Sequence, residues 1–423
     1  MGGDDTSTES LRTPLDSWSM STSARTAPEA PVASSQPKKR ISYGRQDISS
    51  ADEAAVLNAL RSDYLTQGPA VPAFESALKE ATGALHAVAC NSATSALHIA
   101  CRALGLGPGD RLWTTPNTFV ASANCARTCG ADVDFVDIDP GTLNLCAVAL
   151  ERKLEAAKRE GKLPKIVVPV DFAGLPADMR AIRSLADRYG FRIIEDASHA
   201  VGATDAGRPT GGGRTADITV LSFHPVKIVT TCEGGAGLTD HPELARAMEL
   251  YRSHCITRNP EEMHDPSEGP WYYQQVDLGN NYRMTDLHAA LGCSQMKRLR
   301  EFVRARTELA ARYDRLLADF PLTVAPRREG AASAWHLYVV QLDESLESRR
   351  REVFERMWAA GIMVNVHYIP VHLQPYYRSM GFKAGDFPNA ERYYRRALTL
   401  PLHPGLTFED QDRVVDSLRE AIG

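Results

Sequence analysis

The sequence contains no long apolar run, no cysteine-rich segment and no basic stripe. No uninterrupted apolar stretch approaches the roughly 18 residues that a membrane-spanning helix requires. The net charge is −5 with both signs interspersed, and basic residues do not alternate with aromatic ones, which argues against nucleic acid as a partner. The first residues are acidic and lack the apolar core of a signal peptide. We therefore expect a cytoplasmic protein without membrane or nucleic-acid partners.

The eight cysteines are scattered and form no short-range framework, a pattern typical of reduced thiols in a cytosol. Cys125 and Cys129 lie four positions apart on a predicted helix and could share a metal ion. Burial of small side chains on one helix face is the favoured interpretation, so we predict no metal site. The cysteines are Cys90, Cys101, Cys125, Cys129, Cys146, Cys232, Cys255 and Cys293.

The composition is that of a folded protein, since 43% of the 423 residues are hydrophobic and 24% are charged. This length allows two or three domains with a large core. Residues 1–40 are rich in Ser, Thr, Pro and Ala and are predicted to be a disordered extension. The cluster Lys38-Lys39-Arg40 at its end could be a contact patch, although a solvated linker end is favoured. We assign residues 41–285 to a large domain and 286–423 to a small one.

From about Ala84 onward, short apolar segments alternate with helical patterns. Strands separated by helices of this length imply right-handed crossovers and a largely parallel sheet that is covered on both faces. The sequence therefore predicts an α/β fold for the large domain. The predicted strands are Leu85–Cys90, Arg111–Thr115, Val133–Ile138, Ile166–Phe172, Phe191–Glu195 and Ile218–Phe223.

After Met284 the pattern changes. It predicts a long helical stretch from Thr285 to about Leu317, then strands over Trp335–Leu342 and Ile362–Tyr368, and two further helices. We interpret this part as a smaller α+β domain that closes over the first.

Three of the predicted strands end at residues that are candidates for one site. Asn91, Asp196 and Phe223 all lie where a strand ends. Ligands of parallel sheets bind at the carboxyl ends of the strands. The three positions are therefore predicted to meet at one edge of the sheet.

Lys227 and Asp196 supply the two charged groups that a pyridoxal phosphate enzyme needs. The amine can condense with an aldehyde, and the carboxylate can hold a protonated pyridine ring. Lys227 by itself could be an ordinary loop lysine, and Asp196 could be a buried acid paired with an arginine. Ser222 lies five positions before Lys227, so its hydroxyl is predicted to emerge near the same edge.

The segment Asn91–Leu97 joins a predicted strand to a helix start with small hydroxyl residues. Free backbone N–H groups and the positive end of the helix dipole make such a segment a natural phosphate site. Plain helix capping by Ser92 or Thr94 is the simpler alternative, and on this segment alone it is favoured.

Taken together, these motifs resemble the DegT/DnrJ/EryC1/StrS family of sugar aminotransferases, and the resemblance covers about Ile41 to Gly423. It implies the type I aspartate aminotransferase fold, pyridoxal 5′-phosphate as cofactor and a homodimer. Within the family, the sequence is most similar to the transaminases that form UDP-4-amino-4,6-dideoxy-N-acetyl-β-L-altrosamine, on the way to pseudaminic acid. The motifs are Tyr64–Pro69, Asn91–Leu97, Glu195–His199, Ser222–Lys227, Asn281–Asp286 and, for the narrower group, Ile41–Gln46 and Val364–Tyr377.

The resemblance also implies roles for single residues. Lys227 would bind the cofactor covalently and act as general acid and base, while Asp196 would hold the pyridine nitrogen. The remaining cofactor contacts would be the phosphate-binding Thr94, Ser95 and Ser222, the ring-stacking Phe119, His199 beside the phenolic oxygen, and Asn281, which would reach the partner subunit's cofactor. The nucleotide sugar would meet His367, Tyr368 and His372, for which core packing is the alternative.

The implied reaction moves an amino group from glutamate, the family's usual donor, to C4 of a UDP-linked 4-keto-6-deoxy sugar. Asp171 stands where the narrower group usually has histidine, and Leu175 where it has glutamine. A dTDP-linked sugar is therefore an open alternative. A noncatalytic regulatory or sugar-binding member of the same fold is a second alternative, although a binding module has no use for Lys227.

Overall fold

The computed structural model describes residues 39–212 and 215–423. The predicted disordered extension lies outside the described residues except for Lys39 and Arg40. Lys39 forms an ion pair with Asp410, with Nζ 2.8 Å from Oδ2. The α-helices of the described residues are α1 Ser50–Leu60, α2 Ala70–Thr82, α3 Ala93–Ala103, α4 Ala121–Thr128, α5 Ala147–Glu160, α6 Met179–Tyr189, α7 Pro242–Arg252, α8 Asp286–Met296, α9 Leu299–Leu316, α10 Arg350–Ala359, α11 Pro375–Arg378, α12 Pro388–Arg396 and α13 Phe408–Ile422.

Seventeen strands occur in the same described ranges. They are β1 Ile41–Ser42, β2 His86–Cys90, β3 Arg111–Thr114, β4 Asp132–Phe135, β5 Ile166–Val168, β6 Arg192–Asp196, β7 Thr204–Asp205, β8 Arg208–Pro209, β9 Ile218–Ser222, β10 Gly235–Thr239, β11 Ile256–Thr257, β12 Gln274–Gln275, β13 Leu322–Thr323, β14 Ala331–Ala332, β15 Tyr338–Leu342, β16 Ile362–Met363 and β17 Ala397–Leu400.

Seven strands form the central sheet in the order β2-β10-β9-β6-β5-β3-β4. β10 runs antiparallel to both of its neighbours, and the other pairings are parallel. The predicted, largely parallel sheet is therefore confirmed. β10 was not predicted, because its sequence Gly-Ala-Gly-Leu-Thr lacks the large side chains that mark a strand. The packing requires Gly237, where an added Cβ would lie 2.6 Å from the sulfur of Met248.

Residues along each strand alternate between the two faces of this sheet. Trp113, Val167 and Ile193 pack with α5 and α6 in one hydrophobic cluster. Their chain neighbours Leu112 and Ile194 belong to another cluster, which contains the buried faces of α3 and α4. Helices cover both faces, and this is why the strands appear as continuous apolar runs in the sequence.

The C-terminal part is built on a three-stranded antiparallel sheet in the order β13-β15-β17. Its apolar side chains join the same hydrophobic cluster as α3 and α4. The division into domains at residues 285 and 286 stays a prediction.

Two predicted elements of the C-terminal part are wrong in extent. The helical stretch from Thr285 to Leu317 is two helices, α8 and α9, with a break at Lys297 and Arg298. At this break the Arg298 guanidinium donates to the carboxylates of Asp47 and Asp52, each at 2.6 Å. These tertiary contacts hold Arg298 outside regular helix geometry, and the sequence pattern does not reveal them.

The predicted strand Ile362–Tyr368 is also shorter than expected. Only Ile362 and Met363 pair, as β16, with β1. The carbonyl of the next residue, Val364, accepts a hydrogen bond from the Trp358 indole at 2.8 Å instead of continuing the ladder. The next residue, Asn365, forms an isolated antiparallel bridge with Thr399 of β17.

No helix of residues 39–212 and 215–423 has the length and apolar character needed to cross a bilayer. Across the same ranges, no three His, Cys, Asp or Glu side chains are grouped to hold a metal ion.

Candidate active site

A cavity of about 460 Å³ opens at the carboxyl edge of the central sheet. β2, β6 and β9 run in the same direction and end there, so Asn91, Asp196 and Phe223 meet at one edge as predicted. Most of the predicted site residues line this cavity, namely Thr94, Phe119, Asp196, His199, Ser222, Lys227, His367 and Tyr368.

One wall of the cavity is the N-terminus of α3. The Ser92 hydroxyl caps the helix by accepting the backbone N–H of Ser95 at 3.1 Å. The first N–H groups of a helix have no intrahelical acceptor, which leaves those of Ala93 and Thr94 available to an anion. Gly235 permits the close approach of β10, since an added Cβ would lie 2.4 Å from the nitrogen of Ala93. Capping by Ser92 therefore does not prevent this segment from binding an anion.

Asp196 is buried at the end of β6. Its Oδ2 accepts a hydrogen bond from the Ser122 hydroxyl at 2.6 Å, and its Oδ1 accepts the backbone N–H of Ser198 at 3.2 Å. No arginine pairs with it among the described residues. The carboxylate is thus held by neutral donors and faces the cavity, where a cationic ring can complete its contacts.

The sequence prediction did not include Ser122. Its hydroxyl lies 2.7 Å from that of Thr118 and donates to Asp196. Both residues are buried, Thr118 shortly before α4 and Ser122 in its first turn. The sequence contained one indication of this contact. Two hydroxyl residues, Thr118 and Ser122, lie four positions apart soon after the predicted strand Arg111–Thr115. Their partner lies 74 residues further along the chain, and only the fold shows it.

Lys227 lies in a turn in which its backbone N–H donates to the carbonyl of His224 at 2.9 Å. Burial lowers the pKa of Lys227 to about 8, and the negative charge of Asp196 opposes this shift. The amine is therefore substantially neutral at mildly alkaline pH. A neutral amine is the form that can attack an aldehyde or accept a proton.

The lowered pKa predicts the reactivity of Lys227 in the cofactor-free protein. The rate of its condensation with pyridoxal should rise with pH around a midpoint near 8, whereas an ordinary lysine titrates near about 10.4. The rate can be followed by the growth of visible absorbance. The exposed Lys383 supplies the matched control, since Lys383→Ala should leave the profile unchanged. A Lys227-dependent midpoint near about 10 would contradict the effect of burial.

His199 has a defined tautomer. Its Nδ1 accepts the backbone N–H of Ala173 at 3.2 Å, and its Nε2 lies 3.2 Å from the Tyr368 hydroxyl. Burial, with the positive charge of Lys227 adding to it, holds the pKa of His199 well below its usual range. The ring is therefore neutral, with its proton on Nε2.

Two further histidines lie beside it. His367 is buried with Nδ1 2.9 Å from the Thr399 hydroxyl, and burial together with Lys227 lowers its pKa to about 3. His336 also lines the cavity, with its ring centroid 4.4 Å from that of His199. The sequence prediction did not include His336. The cavity thus contains one amine surrounded by neutral imidazoles.

The ring of Phe119 is more than half exposed at the mouth of the cavity. Its centroid lies 6.3 Å from that of Tyr368. An exposed aromatic face beside Asp196 and Lys227 is available to stack on a flat ring.

Three predicted site residues do not line the cavity. The Ser95 hydroxyl donates to Asn91 Oδ1 at 2.5 Å and is occupied within the helix cap. Asn281 is exposed and pairs with the backbone of Ser253. His372 is fully buried, and its Nε2 lies 3.0 Å from Glu391 Oε1. The alternative of core packing therefore describes His372 better than sugar binding does.

The model of the DegT/DnrJ/EryC1/StrS aminotransferase family matches residues 46–419. The chain belongs to this family.

Similar proteins span nearly the whole chain. It is 39% identical over 386 residues to the spore coat polysaccharide biosynthesis protein SpsC of Bacillus subtilis, covering 90% of this chain and 97% of that protein. It is 37% identical to the UDP-4-amino-4,6-dideoxy-N-acetyl-beta-L-altrosamine transaminase of Campylobacter jejuni, with 89% and 96% covered. The solved structure of Helicobacter pylori PseC, an aminotransferase of pseudaminic acid biosynthesis, superposes with a TM-score of 0.83 at 31% identity, with 91% and 99% covered.

The protein is therefore a pyridoxal 5′-phosphate-dependent sugar aminotransferase with the type I fold. The cavity fits the cofactor. It offers free N–H groups at the start of α3 for a phosphate, the carboxylate of Asp196 for a ring nitrogen, and the amine of Lys227 for an aldehyde. When bound, the cofactor withdraws electrons from the carbon that gains or loses the amino group.

Proposed function

We propose that this aminotransferase moves an amino group from glutamate to C4 of a UDP-linked 4-keto-6-deoxy-N-acetylhexosamine. The observation that carries the proposal is the placement of Lys227 and Asp196 on the wall of one cavity, with the α3 N-terminus beside them. The amino-acid donor and the sugar would react in turn at this place.

Lys227 is the proposed acid and base of both half-reactions. Its Nζ takes the proton from the α-carbon of glutamate and later delivers a proton to C4 of the sugar. The lowered pKa of Lys227 makes the first of these roles feasible near neutral pH. Asp196 keeps a negative charge at the ring nitrogen, and Ser122 and Ser198 fix the carboxylate. Thr94 and Ser222 contribute hydroxyls for the phosphate.

The choice of sugar rests on the similar proteins and on the cavity. Two of them are named for UDP-4-amino-4,6-dideoxy-N-acetyl-β-L-altrosamine or for pseudaminic acid biosynthesis. In this chain, Tyr43, His367 and Tyr368 line the cavity and can bind sugar hydroxyls and the acetamido group. Neutral imidazole and phenol groups suit an uncharged pyranose ring.

A panel assay tests the proposed substrate. Purified enzyme with glutamate would be incubated with UDP- and dTDP-linked 4-keto-6-deoxy sugars, and release of 2-oxoglutarate would be measured by a coupled dehydrogenase. We expect turnover with the UDP-linked N-acetylhexosamine and at least about tenfold lower kcat/KM with its dTDP counterpart. Turnover with dTDP sugars alone would overturn the substrate but not the reaction class.

A homodimer with shared active sites is part of the proposal. Large apolar side chains that single soluble chains normally bury are exposed here in two regions. The first region is Leu57, Leu60, Tyr64 and Leu65 at the end of α1 and just after it, and the second is Trp271, Tyr273 and Leu278 around β12. A second copy of the chain would remove both regions from solvent. Asn281 follows the second region and does not line the cavity of its own chain, which suits a residue that serves the partner's site.

Mixing two defective variants tests the shared site. Lys227→Ala and Asn281→Ala protomers should each be impaired as homodimers. If Asn281 serves the other subunit, a mixed dimer has one intact site, so random mixing should restore about a quarter of wild-type activity. Activity of re-assembled mixtures would be measured against each variant alone. No recovery in mixtures that do exchange subunits would show that Asn281 acts within its own chain.

We also place the reaction in the cytoplasm. All eight cysteines are free, and five of them are buried, which suits a reducing compartment.

A further inference from the structure

Two carboxyl groups are buried together beside the strand that carries Asp196. Val170 bridges Asp196 in parallel register, so the flanking Asp171 and Glu195 share the opposite side of the sheet. Asp171 is fully buried, Glu195 is nearly so, and the two carboxyl groups are close neighbours. The proposed mechanism uses neither of them.

The partners of these two carboxyls leave a fully buried oxygen without a donor. Glu195 Oε2 accepts the Thr219 hydroxyl at 2.7 Å, and Asp171 Oδ1 accepts the backbone N–H of Ala177 at 2.8 Å. Asp171 Oδ2 has no N–H or O–H partner in the part of the chain that the structure describes. An unpaired carboxylate oxygen at this depth is costly. A proton held between the two carboxyls supplies the missing donor.

The surrounding charges favour that proton. Asp196 and Asp205 face the pair with negative charge, and the nearby cation is Arg328. The Arg328 guanidinium is engaged by Asp205 Oδ1 at 2.9 Å. Burial raises the pKa of Glu195 to about 7, and burial with the charge of Glu195 raises the pKa of Asp171 well above its usual range.

The pair is connected directly to the active site through the backbone. The N–H of Asp171 donates to the carbonyl of Asp196 at 3.0 Å, and the N–H of Asp196 donates to Pro169 at 2.9 Å. The turn that Asp171 closes carries Ala173, whose N–H fixes the tautomer of His199. Gly174 makes the turn possible, since an added Cβ would lie 2.9 Å from the nitrogen of Trp335.

We propose that Asp171 and Glu195 share one proton and that this protonated pair is a positioning element for Asp196 and His199. The part that concerns the reaction rests on the proposed function of the site. With one proton the pair carries a single negative charge. The Asp196 carboxylate at the end of β6 then has only one further negative charge behind it. Losing the proton would place two adjacent charges behind Asp196 and press the turn at Asp171 away from the sheet.

The proposal predicts how stability depends on pH. A carboxyl whose folded pKa is raised binds its proton more tightly in the folded state, so stability is greatest below the unfolded pKa of about 4 and falls as pH rises through the folded value. For Glu195 that window ends near pH 7. Asp171→Asn and Glu195→Gln remove the shared proton while keeping shape, and they should flatten this decline.

The first experiment uses the cofactor-free protein. Infrared difference spectra at neutral pH, wild type minus Asp171→Asn and wild type minus Glu195→Gln, should show a protonated carboxyl band that both variants lose. Between about pH 5 and pH 8, Tm should fall by several degrees in wild type and by less than half as much in either variant. Glu80→Gln, at an exposed acid, should behave as wild type. Absence of the band, or parallel Tm profiles, would overturn the shared proton.

The second experiment tests positioning in the loaded enzyme. Asp171→Leu can neither hold the proton nor accept the Ala177 N–H, so kcat should fall about tenfold or more with little change in KM. Asp171→Asn should rescue most of kcat. Equal kcat in all three proteins would refute the positioning role. Since the infrared and Tm results need no turnover, they stand or fall independently of the proposed reaction.

Discussion

Lys227→Ala should lower turnover by about 10⁴-fold or more, because it removes both the covalent attachment point of the cofactor and the general base. The same variant should lose the visible absorbance that cofactor addition gives the wild-type protein. The neighbouring side chains that line the cavity do not replace it, since His199 and His367 have lowered pKa values and are poor bases at the working pH.

Lys383→Ala controls for the loss of a lysine, because Lys383 is exposed and does not line the cavity. It should keep wild-type turnover and absorbance. Circular dichroism and Tm would show that Lys227→Ala remains folded. A folded Lys227→Ala protein that keeps both the absorbance band and turnover would refute the assignment of the catalytic lysine.

Asp196→Asn should lower kcat by about 10²- to 10³-fold, comparable with the loss of one well-placed electrostatic group in other enzymes. Asparagine preserves the size of the side chain, and its oxygen can still accept from Ser122 or Ser198. The variant therefore removes charge more than shape. Without that charge the ring nitrogen loses its proton and the cofactor withdraws electrons less strongly.

Ser122→Ala is the matched control for geometry. It removes the 2.6 Å hydrogen bond to Asp196 while leaving the charge in place, so its effect should be about tenfold or less. Steady-state kinetics of the two variants, with absorbance spectra across pH, separate charge from orientation. A Ser122→Ala effect as large as that of Asp196→Asn would mean that orientation, and not charge, is what Asp196 supplies.

Local sequence patterns predicted the central sheet because each strand buries both faces and each helix buries one. The runs at Ile166, Phe191 and Ile218 therefore all correspond to observed strands. The same reasoning failed for β10, where Gly237 is selected by the approach of Met248 and not by strand propensity. It also failed at Arg298, whose contacts with residues more than 240 positions away interrupt the helical stretch between α8 and α9.

The sequence by itself determined the chemistry of the site. An amine in Lys227, an acid ending a strand in Asp196 and hydroxyls at a helix start are local features, and strand direction alone is enough to bring them to one edge. The tertiary structure decided which other side chains take part. It brought Ser122 to Asp196, placed His336 beside His199, moved His372 into the core and set Asp171 against Glu195. Those outcomes depend on contacts between distant segments, and such contacts leave no periodic signal in the chain.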